Sequence, residues 1–316
     1  MARQHHGTAS AIGLSLTLCA CGGGGSDISY VPPPPPAPPP VQDSGPPAFP
    51  DAAFGLVGGP FTTYSASFNS SGDVTSAKDA VHISYSADDD IYTFSAPGVE
   101  EGHLIGTTIG SGSYSSSSKW DQIYYTTSFV SQGDSAVPQE NAYVALDWGT
   151  APYSASDLTY TSFGSWNGAD GNSGSFVYGI PSTVGDIPVS GTADYSGQIR
   201  GTAADDGSVY GSIGLEFDFA AGTLSGTMEP YVSIYDGWDT ASLGTYTFRD
   251  TVYSVGGTSF SGAFSVPGSD APSSFQGNFN GPGAVELMGN FSAPYLSPNT
   301  GNWATMTGVF GGKKTP

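Results

Sequence analysis

The sequence predicts an all-β protein in which an eight-stranded antiparallel up-and-down barrel follows a β-rich domain and a disordered, proline-rich tether. The first observation behind this prediction is that glycine supplies 46 of the 316 residues, about twice its usual share of ~7%. The second is that aromatic residues make up 13% of the chain while charged residues make up only 11%. The third is an alternation of apolar and polar residues in the C-terminal half, which is typical of strands with one buried face. Because the glycines have no period of three, collagen is excluded.

The alternation is clearest in GSVYGSIGLEFDF, residues 207–219. Its two faces carry Val209, Gly211, Ile213, Leu215, Phe217 and Phe219 on one side, and Tyr210, Ser212, Gly214, Glu216 and Asp218 on the other. Similar segments are SGTADYSGQIRGTA, GTLSGTMEPYVSIY, GTYTFRDTVYSV, TSFSGAFSVP, SSFQGNFNG, AVELMGNFSAP and NWATMTGVFGG, which brings the count to eight. Eight consecutive strands with short links predict an up-and-down barrel just wide enough for side chains to fill.

A Gly-x-Phe repeat places glycine and phenylalanine on the same strand face. It occurs at Gly262/Phe264, Gly277/Phe279, Gly289/Phe291 and Gly308/Phe310. We expect the rings to fill the barrel, and the glycines to let strands bend or let rings lie across the backbone. The opposite face carries polar residues that we expect to contact water, namely Asp194, Gln198, Arg200, Glu216 and Asp218. A lipid-facing barrel would present an apolar band there, so a water-soluble barrel is favoured.

The N-terminal residues predict a lipoprotein signal peptide at 1–20. A polar start, MARQHHG, precedes an apolar run that is too short to span a membrane as a helix. The residues Leu18, Ala20 and Cys21 fit the −3, −1 and +1 positions of a bacterial lipobox, which predicts lipid attachment at Cys21. The alternative is an ordinary secretory signal with an incidental cysteine.

The rest of the chain divides by composition. Residues 21–50 hold four glycines in a row followed by eleven prolines. They predict a tether that is flexible at the glycines and stiff along the prolines. Residues 51–170 hold short strand-like segments such as FTTYSASF and AVHISYSA, and predict an irregular β-rich domain with little helix. Residues 171–316 form the predicted barrel domain.

The charge balance limits the classes of partner. The chain has 28 acidic and 7 basic residues, a formal net charge of −21. This argues against nucleic acid and against docking on an anionic lipid surface, so that membrane contact would be through the lipid anchor only. We expect the charge to keep the protein soluble and to steer it toward a positively charged partner.

No motif nominates a catalytic or metal site, and we expect no cofactor and no enzyme activity. Once the signal is removed, only His82 and His103 remain and Cys21 carries lipid, which leaves too few ligands for a His/Cys zinc site. The run Asp88–Asp90 and the stretch NGADGNSG (167–174) are expected to be a solvated turn and a hairpin loop rather than calcium loops. His82 is expected to be an ordinary strand residue. A carboxylate pair for glycoside hydrolysis stays open at this stage, because its spacing is three-dimensional.

Two aromatic clusters are candidates for ligand binding. The first is a hairpin link in IYDGWDTASLG that carries Tyr235, Asp236, Trp238 and Asp239, since aromatic anchors beside charge are favoured at binding hot spots. The alternative is a tryptophan that folds back onto the barrel rim. The second cluster lies in the β-rich domain and contains Trp120, Tyr124 and Tyr125.

The segments SFQGNFNGPGAVELMGNF and TGVFGGKK, together with GLEFDFAAGTLSG and YTSFGSW…GSFVYGIP…SGTADYSGQIRG, resemble the barrel signature of transferrin-binding-protein-B-like surface lipoproteins. The resemblance covers roughly residues 155–313. It implies one lobe, with a handle domain in 51–170 and a barrel in 171–316. It also implies display on the bacterial outer membrane and capture of a protein ligand of the nutrient- or iron-carrier type for an outer-membrane transporter. The alternatives are a carbohydrate-binding or glycan-processing envelope lipoprotein and a purely structural envelope protein.

One ionisable residue, Glu286, lies in the otherwise uncharged segment FQGNFNGPGAVELMGNFSAP. The segment predicts two strands joined by a tight turn at Gly281-Pro282-Gly283, with Glu286 early in the second strand. Glu286 could be a ligand contact or an acid. We expect instead a structural hydrogen bond that closes the turn or an end of the barrel.

Overall fold

The computed structural model describes residues 59–86, 91–105, 130–131, 143–146, 158–168, 171–234 and 239–316. These residues form antiparallel strands and two short 3-10 turns, Val184–Asp186 and Pro282–Ala284, so the predicted all-β class is confirmed. Among them, no helix has the length and apolar character needed to cross a membrane.

The N-terminal strands form two five-stranded sheets, which we call the handle. The strands are β1 (Gly59–Pro60), β2 (Thr62–Phe68), β3 (Val74–Lys78), β4 (His82–Ser86), β5 (Ile91–Ala96), β6 (Val99–Ile105), β7 (Val130–Ser131), β8 (Tyr143–Leu146), β9 (Thr161–Asn167) and β10 (Ser173–Gly179). The sheet orders are β1-β4-β5-β6-β7 and β3-β2-β10-β9-β8. Trp166, Phe176 and Phe94 pack together in its core. The described part of this region is thus more regular than its short serine-rich segments predict, because the long-range pairing of β2 with β10 is not visible in local sequence.

The C-terminal strands close into the predicted barrel. They are β11 (Thr192–Ala203), β12 (Gly207–Asp218), β13 (Thr223–Ile234), β14 (Asp239–Ser242), β15 (Tyr246–Tyr253), β16 (Ser259–Ser265), β17 (Ser274–Asn280), β18 (Glu286–Leu296) and β19 (Trp303–Lys314). The order is β12-β11-β19-β18-β17-β16-β15-β13, and pairing of β12 with β13 completes the circle. Each of these eight strands is one of the eight predicted segments. The extra strand β14 pairs with β13 outside the circle.

The predicted boundary between residues 170 and 171 falls within the β9–β10 hairpin. Both strands of this hairpin belong to one handle sheet, and the first barrel strand begins at Thr192. The Gly168 amide donates to the carbonyl of Asn172 at 2.7 Å, so β9 and β10 form a hairpin at the predicted position, and residues 169 and 170 of its loop lie outside the described part of the chain. His82 is an exposed residue of β4, whereas Asp88–Asp90 lie outside the described residues.

Aromatic rings fill the barrel. Phe217 is fully buried, and its ring contacts those of Tyr195, Tyr253, Phe260 and Phe279 at centroid distances of 4.8–5.5 Å. Glu216, the next residue, is exposed. The predicted assignment of the two faces of β12 is therefore confirmed.

The glycine and phenylalanine repeat forms reciprocal pairs across neighbouring strands. Gly289 lies opposite Phe310, and Phe291 lies opposite Gly308. A Cβ placed on Gly289 would come within 2.4 Å of the Phe310 ring, and one on Gly308 within 2.3 Å of the Phe291 ring. The pairs Phe260/Gly277 and Gly262/Phe275 repeat this arrangement between β16 and β17. The rings thus lie across the backbone of the glycines, as predicted.

The second handle sheet covers part of the outer face of the barrel. Tyr64, Ala66, Leu158, Phe163 and Val177 of the handle form one buried cluster with Met288 and Val309 of β18 and β19. The expectation that the whole outer face contacts water is wrong for Arg200, whose guanidinium lies over the Phe163 ring at 4.7 Å. The physical reason is that β18 and β19 carry apolar residues on both faces, and the handle sheet that covers them extends over Arg200, the register partner of Val309.

Candidate functional site

The barrel has two ends of different character. One end, here called the loop end, carries the turns at 204–206, 266–273 and 297–302 and the β13–β14 hairpin. The other, here called the handle end, carries the turns at 219–222, 254–258 and 281–285 and the connection from the handle at 180–191. The alternating direction of the antiparallel strands fixes this division.

The first sequence-predicted cluster belongs to the loop end. Ile234 and Asp239 are register partners at the tip of the β13–β14 hairpin, and Asp239 is exposed. Tyr235, Asp236 and Trp238 fall between them in sequence and lie outside the described residues. The hairpin link predicted at this position is present, and the binding role of its side chains stays a prediction.

The loop end also exposes apolar side chains that the sequence analysis did not single out. Leu296 and Trp303 are register partners that flank the β18–β19 turn, and they are 50% and 47% exposed. Tyr231 stacks on Tyr210 across β12 and β13, with centroids 6.2 Å apart and ring planes within 11°. The signal that could have found them is an aromatic residue immediately beside a turn sequence, as in the PNTGNW segment before Trp303.

Three further predicted residues and the lipid-attachment residue lie outside the described part of the chain. They are Trp120, Tyr124, Tyr125 and Cys21. Among the described residues, no group of three or more His, Cys, Asp and Glu side chains could hold a metal ion.

At the handle end, Glu286 joins the handle to the barrel. Its carboxylate oxygens accept hydrogen bonds from the Thr159 amide at 2.5 Å and the Tyr160 amide at 2.9 Å. These donors are more than 120 residues away in sequence and lead directly into β9. These hydrogen bonds join the barrel strand β18 to the segment that leads into β9, so they lie at an end of the barrel and do not close the turn that precedes Glu286.

Further hydrogen bonds extend this connection into a polar clamp. The Asn280 side-chain amide donates to the Thr161 hydroxyl at 2.7 Å, and that of Asn278 donates to the Asn280 side-chain oxygen at 2.6 Å. We define the polar clamp as Thr159, Tyr160, Thr161, Asn278, Asn280 and Glu286. All of its barrel residues are buried. Such a network is stabilising only while its buried members keep their partners.

The environment of Glu286 makes it titrate near neutral pH. The side chain is only 3% exposed. Burial raises the pKa of Glu286 from its ordinary 4.5 to about 7, although the Thr159 and Tyr160 amides, the Thr161 hydroxyl and the charge of Lys313 each act to lower it. The clamp therefore contains a group that changes charge within the physiological range.

One family model matches the barrel. Residues 187–314 match the family described as the C-lobe and N-lobe β-barrels of Tf-binding protein B. This range spans all eight strands of the closed barrel, and the resemblance inferred from the sequence motifs is confirmed. No curated protein sequence matches the chain.

The similar solved structures include three bacterial proteins. Transferrin-binding protein B of Haemophilus parasuis is 14% identical over 80% of this chain and 45% of its own, with a TM-score of 0.44. That of Neisseria meningitidis is 17% identical over 80% and 44%, with a TM-score of 0.43. HpuA of Kingella denitrificans, solved in complex with human haemoglobin, is 16% identical over 87% and 93%, with a TM-score of 0.43. The chain thus spans about half the length of the transferrin-binding proteins that it matches.

Proposed function

We propose, since the barrel is of the transferrin-binding-protein-B type, that the chain is a non-enzymatic surface lipoprotein that binds a macromolecular ligand. In this proposal Cys21 carries a lipid anchor that inserts in the outer membrane and holds the folded part at the cell surface. The ligand is a protein of the nutrient- or iron-carrier class, which is handed over to an outer-membrane transporter. The observation that carries the proposal is the family match across the whole barrel.

The packing of the barrel supports recognition by its loops or by the handle. The aromatic core around Phe217 occupies the interior, which leaves little room for a small molecule. Function on a rigid scaffold of this kind is usually carried by loops. The loop end offers exposed Leu296, Trp303 and Tyr231 beside the β13–β14 hairpin. An exposed apolar surface rimmed by polar residues is typical of a protein-binding site.

The charge supports a steered encounter with the ligand. A net charge of −21 attracts partners with a positive surface and accelerates association at low ionic strength. We therefore expect the association rate with the ligand to fall when salt is added.

A binding panel tests the proposal. The purified full-length lipoprotein, held in detergent, is immobilised and exposed to transferrin, lactoferrin and haemoglobin, each with and without iron or haem. Saturable binding of one carrier, with salt-sensitive association, is the expected result. Failure of all three carriers would contradict the assigned ligand class.

The alternative function, carbohydrate binding, is favoured by one observation. Tyr210 and Tyr231 present a parallel aromatic pair on the outside of β12 and β13, and Tyr231 is exposed. Aromatic faces with a polar edge suit ligands that are apolar on one side and polar on the other. A glycan array with the same protein distinguishes the two functions, since glycan binding that Tyr231→Ala abolishes would favour the alternative.

A further inference from the structure

One edge of the handle is an open strand. In the second handle sheet β3 is the terminal strand, and none of the described residues pairs with its outer side. The Asp79 amide bonds to the Thr63 carbonyl, and the Asn69 amide bonds to the Asp73 carbonyl. Because hydrogen-bonded pairs alternate along an antiparallel ladder, the odd-numbered residues of β3 face β2. The backbone N–H and C=O groups of Val74, Ser76 and Lys78 therefore point to the open side.

A groove runs beside this edge, between the handle and the barrel. One cavity of about 570 Å³ is lined by Ser76 of β3, by Ser261 and Gln276 of β16 and β17, and by Asn290 of β18. A second cavity of about 640 Å³ is lined by Lys78 and Tyr64 on the handle side and again by Ser261 and Gln276 on the barrel side. Both cavities have Ser261 and Gln276 in their lining, so they lie side by side, and we call the two together the groove.

The floor of the groove leaves room for another strand. The outward-facing residues of β16 and β17 are small or polar there, namely Ser259, Ser261, Ala263, Ser274 and Gln276. The handle sheet lies face to face on β18 and β19, and a strand added to β3 would continue that sheet over β16 and β17. Neighbouring strands are about 4.8 Å apart and packed sheets about 10 Å apart. An extended segment beside β3 therefore meets this floor at ordinary packing distance.

One end of the groove is apolar. Val184, Val252 and Val255 line it and are 74%, 62% and 51% exposed. Val184 comes from the handle connection, whereas Val252 lies near the end of β15 and Val255 lies in the turn that follows it. Three exposed valines on one cleft are an apolar patch of the kind that marks a protein contact.

The charges around the groove favour a cationic occupant. Asp250 lines the first cavity, and the exposed carboxylates of Asp79 and Asp186 are close in sequence to Lys78 and Val184, which line the second. Arg249 is paired with Asp250 at 2.6 Å and Lys78 itself lines the groove, so the three carboxylates exceed these two cations by one charge. The chain as a whole carries a charge of −21, which disfavours a second copy as the occupant.

We propose that this groove binds an extended, cationic segment of a partner protein by β-strand addition to β3. The backbone of the segment pairs with Val74, Ser76 and Lys78, and its alternate side chains contact the groove floor and the valine patch. Main-chain pairing supplies affinity and the alternating side-chain contacts supply specificity, as in other cases of strand addition. The proposal goes beyond the carrier-binding function, since it requires no particular carrier ligand.

A synthetic peptide tests the proposal directly. The probe is an alternating lysine–valine peptide about nine residues long, the length of an ordinary strand, titrated calorimetrically into the full-length lipoprotein. One-to-one binding is expected, together with slowed hydrogen exchange at the Ser76 amide. A matched peptide with N-methyl groups on alternate residues cannot pair along that edge and should bind about tenfold more weakly or worse. A glutamate–valine peptide should bind more weakly, because its negative charges are repelled by the acidic protein.

A proline variant provides the matched test on the protein side. Because the Ser76 amide faces the open edge, Ser76→Pro removes no bond to β2 but blocks strand addition. It should lose peptide binding while Ser76→Ala retains it. Equal binding of the N-methylated peptide, no binding of the lysine–valine peptide, or unaltered binding by a folded Ser76→Pro variant would each overturn the proposal. So would a dimer of the free chain that Ser76→Pro dissociates, because the occupant would then be a second copy. Failure of the peptide test leaves the carrier-binding panel unaffected, so the two proposals fail separately.

Discussion

At the scale of single residues, Glu286 is the side chain whose burial makes the stability of the fold depend on pH. Its position after a Gly-Pro-Gly turn could be predicted, but its partners could not. Thr159 and Tyr160 are far away in sequence, and no local pattern marks a backbone amide as a future donor. The one local indication of a specific role was that Glu286 is the only charged residue in its segment.

Glu286 should make stability fall as pH rises toward neutral. The folded chain holds this proton up to a pKa of about 7, whereas the unfolded chain loses it near 4.5. Between these values the folded state binds more protons, so its stability is highest below about 4.5 and is lost as pH rises through about 7. The full effect is about 3 kcal/mol for such a shift. Glu286→Gln should flatten the pH dependence of the melting temperature between about pH 5 and pH 8.

The matched control for this change is Glu216→Gln, since Glu216 is an exposed carboxylate of β12. It should leave the pH profile of melting unchanged. An identical slope in wild type and Glu286→Gln would mean that Glu286 does not titrate differently in the folded state.

Trp238 is the residue on which the loop hypothesis depends. An aromatic at a loop tip gives a large contact area with little rotamer entropy to lose. Trp238→Ala should weaken binding of the carrier identified in the panel by about 2 kcal/mol or more, with little change in melting temperature. Trp303→Ala removes an exposed aromatic from the same end of the barrel, and it should weaken binding as well because Trp303 belongs to the proposed contact surface.

The opposite pattern, lost stability with unchanged affinity, would show that Trp238 packs on the barrel rim. In that case the handle cluster of Trp120, Tyr124 and Tyr125 becomes the better candidate for ligand contact.

At the scale of elements, the barrel strands were predictable and their surroundings were not. Strict alternation in β12 fixed which residues point inward, because one face of a barrel strand is always buried. The same rule failed for the outer side of β18 and β19, where Met288 and Val309 pack on the handle. The hairpin strand β14 and the regular pairing of the handle were also missed, since both depend on partners outside the local window.

The reciprocal glycine–phenylalanine pairs predict an unequal response to alanine. Gly289→Ala would place a methyl group 2.1 Å from the Gln276 carbonyl and 2.4 Å from the Phe310 ring. Overpacking of this kind costs about 1–3 kcal/mol or more. In contrast, a Cβ on Gly214 of β12 meets no atom within 4 Å, and Gly214→Ala should be neutral or slightly stabilising.

Chemical denaturation of both variants measures this difference. Equal loss of stability at the two positions would show that the rings do not need the space above Gly289, and that the repeat has another cause.

At the scale of the whole molecule, handle and barrel share one buried interface. Tyr64, Phe163 and Val177 cover Met288 and Val309, and the polar clamp closes the seam at the handle end. The composition of the sequence indicated a tether and a barrel, but not that the barrel needs a cover on one side. The reason is that an apolar residue on the polar face of a strand is ambiguous until its neighbour is known.

In the proposed function, attachment to the membrane depends on Cys21, near the N-terminus. Cys21→Ser should abolish metabolic incorporation of palmitate, because Leu18 and Ala20 place Cys21 at the lipidated position. Cys19→Ser is the matched control and should leave labelling intact. Palmitate that persists after loss of Cys21 would place the lipid on another residue, and wild-type protein without palmitate would assign the N-terminus to an ordinary secretory signal.

If this chain displays a carrier-binding lobe at the cell surface, flow cytometry of intact cells should detect the display and the binding together. Cells that express the wild-type chain are incubated with fluorescent transferrin, lactoferrin or haemoglobin, beside cells that express Cys21→Ser. Saturable binding of one carrier to wild-type cells is expected, together with its loss in the Cys21→Ser cells. Wild-type cells that bind no carrier, although antibody detects the protein on their surface, would show that the lobe does not capture a carrier of this class.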